Sequence, residues 1–174
     1  MGKGSSIIAI MSWFFASAAC GGSIDSAKSP GGASGKVLPL AGEWSLGERE
    51  RWGHARDEMQ EWLDRVNTAC GTQMSAAWDY ESFRGHMEDD TTYGVNAWLQ
   101  VACEGAFGQV KDVCEGGDGK ASVKRKISRI DCSYGQKGKT HVELAGATLR
   151  CSMDPDAGHS AMEEAASQYL KSNL

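Results

Sequence analysis

Six cysteines, at positions 20, 70, 103, 114, 132 and 151, are the side chains of this 174-residue sequence best able to make covalent bonds. No C-x-x-C pair occurs among them and no histidine falls at zinc-finger spacing, so disulfides are expected and a metal centre is not. Acid–base chemistry has fewer openings. His54 and Glu58 are four apart, the spacing of a general base and its orienting carboxylate on one helix turn. His141 and Glu143 would share one side of a strand, and His86 with Glu88, Asp89 and Asp90 would make an acidic loop without the EF-hand spacing. Each of these groups falls on a polar, solvated stretch. No G-x-S-x-G, H-E-x-x-H, P-loop or dinucleotide fingerprint occurs, so no cofactor is expected and an enzyme is the lesser reading.

A charge asymmetry runs along the chain. Between Glu43 and Asp118 stand 16 acids against 6 bases, and between Lys120 and Arg150 stand 8 bases against 2 acids. Lys120, Lys124, Arg125, Lys126, Arg129, Lys137 and Lys139 form a candidate patch for an anionic envelope component, acidic headgroups or an acidic protein. A formal net charge of -5 and one interleaved aromatic, Tyr134, argue against nucleic acid. Of the tryptophans after the leader, Trp52, Trp62 and Trp78 fall at core-facing positions and Trp44 is expected to be exposed.

Residues 1–19 have the form of a secretory leader: Lys3, an apolar run from Ile7 through Ala16, then small residues. The run is about half of the roughly 20 residues a membrane span needs. Ser17-Ala18-Ala19-Cys20 resembles the lipobox of bacterial lipoprotein precursors, with Ser17 where leucine is usual. The resemblance implies cleavage before Cys20 and a diacylglyceryl anchor on its sulfur; cleavage after the Ala16–Ala18 trio is the alternative, and both outcomes export the protein. Met1-Gly2 with Ser6 also fits an N-myristoylation pattern, which the export-type run from Ile7 disfavours. Residues 20–42 are rich in glycine and serine and read as a flexible tether. Residues 43–174 are long enough for a single domain with its own core.

Those residues must be positioned by a small set of elements. Ser45-Leu46-Gly47-Glu48 has the form of a capping box, after which Trp52, Ala55, Met59, Trp62, Val66 and Ala69 recur at helical spacing, flanked by Leu63 and Cys70. Met74, Ala76, Trp78 and Tyr80 alternate as a strand ending near Asp79, and residues 81–92 are polar and irregular. A helix is expected from about Tyr93 to Cys114, weakened by Gly105 and Gly108. One or two helical turns over Lys120–Lys126 precede three alternating strands, around Ile130–Tyr134, Val142–Leu144 and Ala147–Met153. A last helix begins with the capping-box pattern Ser160–Glu163. The order implies an α+β domain with helices on one face of a small antiparallel sheet, joined by disulfides, the alternate polar strand positions facing water.

With Cys20 lipidated, five cysteines remain and one must stay unpaired. Cys103 and Cys114 stand about 16 Å apart along one helix, too far to bridge. The preferred pairs are Cys70 with Cys103 and Cys114 with Cys132, leaving Cys151 free; a cross-strand Cys132–Cys151 bond is the rival. Ala69-Cys70-Gly71, Trp78 to Phe83, Cys103, Cys114, the Gly119 to Cys132 segment and Tyr169-Leu170 resemble small lipoproteins of myxobacterial type, a group that implies no activity. The chain is thus expected to be a membrane-anchored envelope lipoprotein working as a binding module, with a periplasmic histidine–carboxylate enzyme as the alternative.

Overall fold

The computed structural model describes residues 35–39, 44–84, 94–154 and 156–174. Five helices and four strands follow in the order α1 (Leu46–Cys70), β1 (Ser75–Trp78), α2 (Tyr80–Arg84), α3 (Gly94–Glu115), α4 (Lys120–Lys126), β2 (Arg129–Tyr134), β3 (His141–Ala145), β4 (Thr148–Met153) and α5 (His159–Asn173). The class is α+β, with α3 and α5 against one face of the sheet and α1 packed along α3.

The sheet is mixed rather than antiparallel. Its order is β1-β2-β4-β3, with β1, β2 and β4 parallel and only β3 running against β4. Alternation marks which side of a strand is apolar, but strand direction and order depend on how the connections travel. The short Ala145–Thr148 turn, with Gly146 at φ +64°, forces β3 and β4 into a hairpin. β4 takes the inner place because Leu149, Cys151 and Met153 are all fully buried, whereas β3 offers only Val142 and half-buried Leu144.

In α1 the buried stripe is Trp52, Ala55, Met59, Leu63, Val66 and Cys70, rotated slightly from the expected one. Trp62 is pushed to the margin, where the Arg65 guanidinium lies 4.9 Å over its ring. Trp44, expected at the surface, is buried in the core. α5 starts one residue earlier than Ser160, with Gly158 as N-cap and no side-chain cap, so the expected capping box does not form. Tyr80, expected to continue the strand's alternation, and residues 81–84, expected to be irregular, form α2 because Asp79 caps it: its carboxylate accepts from Ser82 N at 3.3 Å. Ser82 Oγ then receives Tyr134 N at 2.9 Å, fastening α2 to the end of β2.

Both cysteine pairs of the preferred scheme are exchanged. Cys70 bonds Cys114 and Cys103 bonds Cys132, with Cα–Cα separations of 5.0 and 5.9 Å. The expected pairs require α3 to begin where α1 ends. Instead β1 carries the chain back along the sheet, and the C-terminal ends of α1 and α3 meet at the Cys70–Cys114 bond. The buried α3 residues Cys103, Ala106, Phe107, Val110 and Cys114 share one stripe, and its two cysteines reach different neighbours because they are 11 residues apart. Cys151 is free and buried. The two bridges fit an oxidising, exported setting, and no helix among the described residues is long and apolar enough to cross a membrane.

Candidate binding surface

Burial alternates strictly along β2 and β4, so the sheet has a dry side and a wet one. Ile130, Cys132 and Tyr134 of β2, with Leu149, Cys151 and Met153 of β4, face the helices. The opposite face carries Arg129, Asp131 and Ser133, then Thr148, Arg150 and Ser152, then the exposed His141 and Glu143. Predominantly parallel sheets are usually covered on both faces. Here no described helix covers the second.

Register turns these residues into rows across the strands. Asp131, Arg150 and Glu143 lie side by side on β2, β4 and β3, giving alternating charge. Arg129 donates from Nε to the Asp131 carboxylate, and Arg150 Nη1 stands 3.7 Å from Glu143 Oε1. A second row is Ser133, Ser152 and His141. The surface is therefore polar and nearly neutral. It suits a partner that presents both signs of charge and hydrogen-bonding groups.

A cleft of about 290 Å³ opens on this face, lined by residues including Trp78, Asp79, Arg129, Asp131, Ser133 and Arg150. That is the low end of ligand-pocket volumes, enough for one side chain or one sugar ring of a larger partner. Trp78 is buried in an aromatic row, edge-on to Trp52 at 5.6 Å and stacked on Phe83 at 5.2 Å. Its indole Nε1 is buried with no hydrogen-bond acceptor among the described residues, an arrangement that costs about 1–3 kcal/mol.

The candidate histidines fare differently. His54 and Glu58 are both exposed on α1. His86, Glu88, Asp89 and Asp90 lie outside the described residues, as does Cys20. His141 Nε2 is 3.6 Å from Glu143 Oε2, with Ser152 its register partner, which is the arrangement an acid–base enzyme would start from. Both side chains remain in solvent, where such pairs are weakly held.

The expected basic patch is divided. Lys137 and Lys139 sit on the loop after β2, a strand's length from α4, and Lys137 is paired with Asp156. Arg129 belongs to the open sheet face. Lys120, Lys124, Arg125 and Lys126 stay together on α4, with Lys126 Nζ donating to Asn173 O at 2.6 Å at the end of α5. The alternate polar positions signalled the wet face in advance, but Arg150, Asp131, Ser133 and Ser152 could not be grouped without the strand order. Gln60 went unmarked too: its amide nitrogen donates to Gly35 O at 3.1 Å and its oxygen accepts from Val37 N at 3.0 Å. That clamp sets residues 36–38 along the edge of β1, where Leu38 N donates to Ala76 O at 2.8 Å.

At the other edge, Tyr169 Oη accepts from Leu144 N at 2.9 Å and so blocks part of β3 from pairing with another strand. No protein-family model matches this chain, and no curated protein or solved structure matches it either.

Proposed function

We propose that this chain is an exported lipoprotein, anchored through Cys20, whose folded domain works by binding through the open face of its sheet. The observation that carries the binding reading is the uncovered row Asp131–Arg150–Glu143 beside the cleft lined by Arg129, Asp131, Ser133 and Arg150. Charged groups arranged in alternation across a flat face favour orientation and specificity of a docked partner over chemistry on a small molecule. The Ser17–Cys20 motif and the two disulfides support export.

Carboxyl labelling of intact envelopes and of purified protein, read by peptide mass, tests both parts. Asp131 and Glu143 are expected to label several-fold less in the envelope than after purification, while Glu58 on α1 labels equally in both. The N-terminal peptide is expected to begin at a diacylglyceryl-modified Cys20. Equal labelling of Asp131 and Glu143 in the two samples would refute the binding face, and an unmodified N-terminus at Ala19 would refute the anchor.

A further inference from the structure

The chain enters the folded domain beside its most concentrated uncompensated positive charge. Gly35 lies against Gln73 and Asn67, close to the end of α1. Gly71, two residues before Gln73, has Lys124 Nζ 3.2 Å and Lys120 Cε 4.0 Å from the position a Cβ would occupy. Ser75 N donates to Ser128 O, just after α4, at 3.1 Å. Lys36, Lys120, Lys124 and Arg125 are therefore gathered at one end of the molecule, the end at which residues 20–34 join it.

None of the four forms an ion pair among the described residues, and Arg125 has only the Ser122 hydroxyl, at 3.4 Å. Lys36, Lys124 and Arg125 are exposed and Lys120 is half-exposed. Of the acids near them, Glu115 is occupied by Lys111 at 2.7 Å, Asp131 by Arg129, and Asp64, near Gly35, accepts from Gln60 Nε2 at 2.8 Å. By contrast, Lys137 at the far end of β2 is neutralised by Asp156.

We infer that the α4 end of the domain docks on the anionic headgroups of the bilayer that holds the anchor. This rests on the lipid-anchor reading above. From Cys20 to Gly35 the chain spans 15 residues, at most about 50 Å fully extended. A tether of that reach keeps the domain at high effective concentration over the surface, so weak electrostatic contacts suffice to orient it. Each Lys or Arg near an anionic bilayer multiplies binding by roughly five. β2 runs away from α4, so docking at this end would stand the strands up from the membrane and leave the open sheet face accessible to a partner.

Vesicle flotation of the chain from residue 20 onward, carrying Cys20→Ser, isolates docking from anchoring. At low salt it is expected to float with vesicles of phosphatidylcholine containing about 30% phosphatidylglycerol and not with pure phosphatidylcholine, and roughly 0.5 M salt should release it. Lys120→Gln, Lys124→Gln and Arg125→Gln together are expected to weaken binding about a hundredfold. Lys137→Gln with Lys139→Gln should change it less than threefold, with near-ultraviolet circular dichroism confirming the fold of every variant. No flotation with the anionic vesicles, or equal losses in the two variant sets, would overturn the inference; an acidic protein or polysaccharide as the true partner would give the first of these. An unlipidated N-terminus in the envelope would instead sink the anchor, so the two failures are distinct.

Discussion

Cys151 lies beside a disulfide without belonging to it. It is the register partner of Cys132 on the neighbouring parallel strand, on the same buried face, and Cys132 is bonded to Cys103. Burial, helped by the Asp131 carboxylate, pushes its thiol from 9.0 up to about 12. A thiol so held is protonated at neutral pH and is a poor nucleophile, so the bridge beside it is left alone. In the unfolded chain the thiol ionises near its ordinary value, so its contribution to stability is intact below about pH 9. It is lost at about 1.4 kcal/mol per pH unit as pH rises toward 12. Urea unfolding is expected to show the natural protein losing about 2 kcal/mol more than Cys151→Ala between pH 8 and 10.5; an unchanged difference would contradict this. A second outcome follows from the same register. Cys103→Ser frees Cys132 next to Cys151 at a strand spacing of about 4.8 Å, within disulfide range. Oxidative refolding of that variant should yield a Cys132–Cys151 peptide by mass mapping, and its absence would place the two sulfurs out of reach.

Among the elements, α3 carries the arrangement and its glycines do opposite things. A Cβ on Gly105 would sit 2.9 Å from Glu163 N and 3.3 Å from His159 O, both backbone atoms of α5. Gly108 has nothing within 4 Å. Helix propensity alone ranks both as faults costing up to about 1 kcal/mol. Packing reverses that ranking at one of them: Gly105→Ala is expected to destabilise by about 2 kcal/mol because two helix backbones must separate. Gly108→Ala should stabilise by about 0.5–1 kcal/mol. Denaturant midpoints of the pair decide it, and equal effects would refute the close α3–α5 approach. The helix and its apolar stripe were legible from spacing. Which glycine touches a neighbour was not, since the contact is made with residues of a different helix, far along the chain.

For the whole molecule, the junction at residues 35–38 is held by the Gln60 side chain together with backbone hydrogen bonds between Ala76 and both Lys36 and Leu38. Gln60 grips Gly35 and Val37, and this strap closes the β1 edge of the sheet. Gln60→Ala is expected to cost no more than about 1.5 kcal/mol globally, yet to speed amide exchange of Leu38 at least tenfold by local opening. Unchanged exchange at Leu38 would show that the strap stands without Gln60. The open sheet face, the α4 cations and this junction together define how the domain would be presented.

Local pattern was enough for much of this. Helical and alternating periodicities depend only on which side of a short segment is apolar, so every element but α2, the α+β class and the polar side of each strand could be read from neighbouring residues alone. Even the incompatibility of Cys103 with Cys114 follows from the rise of one helix. What the tertiary structure decided all concerns long-range meetings: β4 entering between β2 and β3, Cys70 reaching Cys114, and the basic residues separating to opposite ends of β2. These outcomes depend on the path of the connections and on competition for the core. Such competition is settled by the volume and burial of side chains distant in sequence, and no local period records it.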